Sequence, residues 1–178
     1  MKRLKYGILA MTGALLLVCA TAFGSPPDNQ VDNPGLAKLV QRQLATLPYY
    51  GVFDNLAYQI NGSTVTLYGQ VVRPVTKSDA EKRVAHIEGV TKVVDDIEVL
   101  PLSPSDGAIR VRTYRAVFSK GALYRYAMGA IPSIHIIVDN GHVTLDGVVN
   151  SKQDSQLAYL AANSVPGVFS VTNNLRVE

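Results

Sequence analysis

Apolar and polar positions recur along this chain in the same order twice. From Thr64 to Val71 the apolar residues Val65, Leu67 and Val71 share one face, and Val143, Leu145 and Val149 do so 78 residues later. A period of two is the mark of a half-buried strand. The correspondence extends without a gap from Ile60–Val99 to Val138–Val177. Val65, Thr66, Leu67, Gly69 and Val71 meet Val143, Thr144, Leu145, Gly147 and Val149, and Ala80, Gly89, Val90, Val93 and Val99 meet Ala158, Gly167, Val168, Val171 and Val177. Self-similarity at one offset predicts two small domains of one fold.

Each copy predicts the same elements. A strand near Leu56–Ile60, or Ile134–Val138, leads through a tight turn into the alternating strand. Asn140-Gly141 suits a type I′ turn and Gly62-Ser63 a type II′ turn. A helix follows, announced in the first copy by Ser78 and Glu81 as a capping box. Ala80, Val84 and Ile87 mark its buried face, as do Ala158, Ala162 and Val165 in the second copy. Gly89 and Gly167 are expected to end these helices, and Val93, Ile97, Val99 or Val171, Leu175, Val177 form a closing strand. Gly69 and Gly147, inside strands, predict close approach of a helix backbone. An amphipathic helix precedes each hairpin: Leu36, Leu39, Val40, Leu44 and Leu47 in one copy, and roughly residues 108–118 in the other. The fold class is α+β, two tandem αββαβ modules, each a three-stranded sheet packed against two helices. Modules of this size lie near the lower limit for independent stability, so mutual support through an interface is expected.

The ends and joins complete the division. Lys2, Arg3 and Lys5 precede an apolar run from Gly7 to Ala20, with small residues at Ala20, Ala22, Gly24 and Ser25. This is the layout of a secretory signal peptide over 1–24, cleaved after Ala22 or Gly24, and the run is too short for an ordinary membrane span. Cys19 raises a lipoprotein alternative, but Val18 stands where that pattern expects a small residue. A flexible linker is expected over 25–34, the first module over 35–101, a Pro-rich linker over 102–107 and the second module over 108–178. The whole chain carries 17 Lys plus Arg against 14 Asp plus Glu. Removing Lys2, Arg3 and Lys5 leaves 14 of each, so the basic excess belongs to the leader. With one Cys in 178 residues, an internal disulfide framework and multi-cysteine metal sites are excluded.

The string Val-Thr-Leu-x-Gly-x-Val at Val65–Val71 and Val143–Val149, with a Gly-Val-x-x-Val segment closing at Val99 and again at Val177, resembles the BON domain (bacterial OsmY and nodulation). The resemblance covers nearly all of the chain after the leader. It implies the αββαβ fold, an exported, periplasmic location, no enzymatic activity and no cofactor, and a role in binding phospholipid and protecting the envelope against stress. One departure stands out. Lys120–Pro132 of the second copy is longer than its counterpart, Pro48–Asp54.

The search for chemistry gives little. His135 is expected opposite Asp146, and His142 opposite Asp139, on the face away from Ile134, Ile136 and Val138. The two pairs are about 13 Å apart along the strand, too far to share one metal ion, and solvent-facing cross-strand charge pairs describe them better. His86 is expected to be exposed. No phosphate loop, nucleophile elbow, dinucleotide fingerprint or zinc-protease motif is present.

Binding is the stronger prospect. Arg110, Arg112, Arg115, Lys120 and Arg125 fall in one stretch with a single acid, Asp106, and are interleaved with Tyr114, Phe118, Tyr124 and Tyr126. Cationic heads beside amphipathic rings suit an anionic phospholipid surface, such as the inner face of an envelope membrane. The same pattern also fits an ordinary domain helix whose rings pack on the sheet while its arginines are solvated. The competing partner is an envelope protein, anchored by Tyr49, Tyr50 and Phe53 in a connecting segment. Nucleic acid is not expected, because the leader predicts export.

Overall fold

The computed structural model describes residues 34–129 and 131–178. The expected leader, Cys19 and all but the last residue of the expected first linker lie outside them. The first module runs α1 (Pro34–Ala45), β1 (Asn55–Asn61), β2 (Thr64–Val71), α2 (Pro74–Ala85) and β3 (Lys92–Val99). The second runs α3 (Pro104–Phe118), a 3₁₀ turn (Tyr124–Ala127), β4 (Ile134–Asp139), β5 (His142–Val149), α4 (Lys152–Asn163) and β6 (Ser170–Val177). Each sheet is a hairpin whose second strand is central, β1-β2-β3 and β4-β5-β6. The hairpin pair is antiparallel, while β3 and β6 run parallel to their neighbours after a helical crossover. The chain is therefore two α+β modules of one topology.

Each module has its own core. Leu36, Val40 and Leu44 of α1 pack with Val65, Leu67 and Val71 of β2 and Ala80 and Val84 of α2. Ile109 and Val117 of α3 pack with Val143, Leu145 and Val149 of β5 and Ala158 and Ala162 of α4. The alternation read from the sequence is the burial pattern of β2 and β5. At the second hairpin, Asn140 and Gly141 both have positive φ, at 48° and 80°, as the type I′ turn requires.

Some local expectations are corrected. Ser78 and Glu81 cap nothing, because α2 starts at Pro74 behind an extended Arg73. Proline is pre-set for a first helical turn and holds the residue before it extended, and here that outweighs the Ser/Glu spacing. The equivalent of Arg73 in the second module, Ser151, does cap: its hydroxyl accepts from the Asp154 amide at 3.1 Å. Likewise α3 begins at Pro104, inside the stretch expected as a linker, with the Ser103 hydroxyl accepting from the Asp106 amide at 3.2 Å. Gly89 and Gly167 have positive φ but stand four residues beyond the helix ends, in the turns that follow. Close approach at Gly69 and Gly147 comes from a neighbouring strand and not from a helix. A Cβ there would strike the carbonyl of Asn55 or of Ser133.

The modules meet through the segment between α1 and β1. The Ile136 amide on β4 donates to the Val52 carbonyl at 2.7 Å. Val52 and Phe53 pack against the second core. Phe53 lies edge-on to Tyr114 with ring centres 6.2 Å apart, and Tyr50 covers His135 at 5.7 Å. Among the described residues no helix is long and apolar enough to cross a membrane.

Candidate functional site

The basic and aromatic stretch of the second module divides by helical period. In α3, Asp106, Ile109, Arg110, Thr113 and Val117 form the buried stripe. Two of these are charged, and both tie the helix to the hairpin below it. The Asp106 carboxylate accepts from the amides of Asn140 at 3.0 Å and Gly141 at 2.8 Å, both donors of the type I′ turn. Arg110 donates to the Val138 carbonyl at 2.7 Å. Burial pushes the Arg110 guanidinium below its ordinary value, against the opposing pull of Asp106, Asp54 and Asp139. Arg110 therefore clamps the edge of β4 and is withdrawn from any surface ligand. Phe118 is a core residue, and Tyr114 is half-buried between Phe53 and Phe118.

The longer connection of the second copy is held by a second polar cluster. The Asp154 carboxylate, buried at the start of α4, accepts from the hydroxyls of Tyr126 and Ser151 at 2.8 Å each and pairs with Arg125. The Tyr126 hydroxyl in turn accepts from the Asn150 amide at 2.8 Å. These bonds, the Tyr126 one foremost, hold the Asp154 carboxyl below the usual carboxylate range in spite of its burial. Hydrogen bonds to Tyr126 and Asp154 raise the Arg125 guanidinium above its ordinary value. Tyr126 is thus a buried structural residue, and Arg125 is engaged with it.

What remains outward is narrower than the nine residues picked out in sequence. Arg112, Arg115, Lys120, Tyr124 and Arg125 are exposed, Arg125 being the one of them paired with an acid among the described residues. Val111 and Met128, which the sequence pattern does not single out, are exposed beside them in the chain. From Gly107 to Val138 the chain has no Asp or Glu. The Asp154 carboxylate that joins this segment from α4 is already paired with Arg125. A groove of about 520 Å³ opens here, lined by Val52, Phe53, Val111, Tyr114, Arg115 and Pro132 among others.

The aromatic segment of the first module is largely internal. Tyr49 is exposed, with the Arg73 guanidinium 5.0 Å above its ring. Tyr50 is turned inward, its hydroxyl accepting from the Leu56 amide at 3.4 Å, and burial pushes that hydroxyl up to about 12. Phe53 belongs to the seam between modules. Of the three residues expected as an exposed anchor, Tyr49 alone is free to serve as one.

The histidine pairs have the expected register, with His135 opposite Asp146 and Asp139 opposite His142. His135, however, is not on a solvated face. It lies beneath Tyr50, its Nδ1 is buried without a partner among the described residues, and burial lowers its basicity. His142 is exposed and shares a 2.7 Å hydrogen bond with Ser170 Oγ. His86 is exposed as well. Among the described residues no group of His, Cys, Asp and Glu side chains could hold a metal ion.

Comparison with known proteins adds an independent line. A family model described as BON domain matches residues 32–101 and 125–178. Osmotically-inducible protein Y of Escherichia coli (strain K12) is 30% identical over 127 residues, covering 70% of this chain. The chain spans 62% of that relative's length. Among solved structures, the C-terminal domain of CdsD, titled as the structural protein of the Type III secretion system of Chlamydia trachomatis, overlays with a TM-score of 0.30 at 12% identity, covering 83% of this chain and all of that one. A second CdsD structure gives 0.29 at 13% identity, over 81% of this chain and 92% of that one. Superpositions this loose carry no argument about fold or function.

Proposed function

The chain belongs to the BON domain family, and from that premise we propose that it is an exported, non-enzymatic envelope protein whose second module docks on anionic phospholipid surfaces. Docking is through the outward stripe of α3 and the connection after it. The observation that carries this reading is the acid-free run from Gly107 to Val138, in which Arg112, Arg115, Lys120 and Tyr124 face outward, while Arg110 is buried against the Val138 carbonyl and the exposed Arg125 is paired with Asp154. Each basic residue close to an anionic leaflet contributes about 1 kcal/mol. Three of them supply about 3 kcal/mol, or about two orders of magnitude in affinity. Reversible attachment of this strength suits a peripheral protein, and the name of the osmotically inducible Escherichia coli relative supports a role under osmotic stress.

Flotation with phosphatidylcholine vesicles, with and without phosphatidylglycerol, tests the proposal. The protein is expected to float with the anionic vesicles only, and less as salt rises, since screening shortens the reach of exposed charges to about 8 Å at physiological ionic strength. Arg112→Glu combined with Arg115→Glu is expected to weaken flotation by about tenfold or more with the thermal transition unchanged. Equal flotation with both vesicle types, or with neither, contradicts the proposal. A second reading rests on Tyr49, whose exposed ring stacks under Arg73. Retention of one envelope protein that is lost on Tyr49→Ala, without vesicle binding, would favour a protein-interaction module.

A further inference from the structure

The two repeats serve as internal controls for each other, and one exposed position separates them sharply. Phe169 begins the approach to β6, and its counterpart at the offset of 78 is Thr91. Both positions make the same backbone bond to their hairpin turn: the Thr91 amide donates to the Ser63 carbonyl, and the Phe169 amide to the Gly141 carbonyl, each at 2.9 Å. The side chains differ in kind. Thr91 is polar and shares a 2.7 Å hydrogen bond with Ser63 Oγ. Phe169 is 78% exposed, a far larger apolar surface than its place in the fold requires.

A single exposed apolar residue is ordinary on a protein surface. Three observations set Phe169 apart. One side of its ring lies over Gly141, and the ring centre is 6.0 Å from that of His142. It stands on the module that carries the acid-free basic run, and the first module has no aromatic residue at the matching position. It is also next to that run in space: the Arg112 guanidinium lies 3.7 Å from where a Cβ on Gly167 would be, two residues before Phe169 in the same turn. A cation that seeks lipid phosphate thus adjoins an exposed ring of the kind that enters the headgroup and acyl boundary.

We infer that Phe169 is an insertion anchor of the second module, entering an anionic bilayer while Arg112 engages the headgroups beside it. This rests on the membrane reading of α3 and adds an element more than forty residues away in sequence. It also assigns a division of labour: the basic stripe attracts the module to the surface, and Phe169 sets how deeply it rests.

The natural chain contains no Trp, so Phe169→Trp gives a clean fluorescent reporter, with Tyr49→Trp on the first module as its control. With phosphatidylglycerol-containing vesicles, emission from the Phe169→Trp protein is expected to shift to the blue and to be quenched by brominated acyl chains, while emission from the Tyr49→Trp protein does neither. Phe169→Ser is expected to weaken vesicle affinity about tenfold or more, the scale of one large apolar side chain, with the thermal transition unchanged. If wild-type protein floats but the Phe169→Trp emission stays unshifted and unquenched, the anchor is refuted and the electrostatic reading survives. If wild-type protein does not float, both fall together. A blue shift that depends on protein concentration and needs no lipid would make Phe169 a self-association surface and overturn the anchor.

Discussion

At the scale of single residues, charge location decides more than charge count. Arg110 and Arg112 are two positions apart in one helix. One is buried against the Val138 carbonyl and the other faces solvent. Asp154 shows what a buried charge needs in order to be stable, namely several donors of fixed geometry. Replacing it, as in Asp154→Ala, is expected to lower unfolding free energy by about 1–3 kcal/mol in urea titration, because the Tyr126 and Ser151 hydroxyls lose their acceptor and Arg125 its partner. The pH dependence has a definite sign. The Asp154 carboxyl is held below its ordinary 3.8 in the folded protein, so its contribution is present above that value and is lost as pH falls through the depressed one. Asp154→Ala should flatten that acid limb.

At the scale of elements, the strands are the most legible part of the sequence and the helix faces the least. The alternation in β2 and β5 and the Asn140-Gly141 turn follow from neighbouring residues, so they survive folding unchanged. The start of α2 departs from its expected place because Pro74 outranks the Ser/Glu spacing that begins four residues later. The i, i+3, i+4 spacing of Asp106, Ile109, Arg110, Thr113 and Val117 is present as a signal, but two charged members disguise a core stripe. Gly147 gives the element-scale test. It has φ of +126° and a Cβ there would strike the Ser133 carbonyl. Gly147→Ala is therefore expected to cost about 3 kcal/mol or more and to disturb β4–β5 pairing, seen as lost amide-exchange protection across that hairpin.

At the scale of the whole molecule, two cores are joined by the segment running from Tyr50 to Asp54. His135 sits at that seam, faced by Tyr50, the Gly51 and Asp54 backbone, and the carboxylates of Asp54 and Asp146. Burial dominates and lowers its folded basicity below the ordinary 6.5. The neutral ring is therefore the form that suits the seam. Stability from this group is complete above the ordinary value and lost as pH falls through the depressed one. Thermal unfolding followed from about pH 8 to about pH 5 should show this loss, and His135→Phe should remove that part of it; an unchanged pH profile in the variant would contradict the assignment.

The repeat, the α+β class, the register of the second hairpin and its turn are written in the residue order alone, because periodicity and turn chemistry act over a few residues. The residue order also locates the basic and aromatic run, but not its exposed part. That part is set by packing between distant segments. Arg110 is withdrawn by a partner 28 residues away and Asp106 by one 35 residues away, while Tyr50 and Phe53 are covered by the other module. The side of a residue that is left for a ligand depends on what the distant chain has already covered, and no local pattern encodes it.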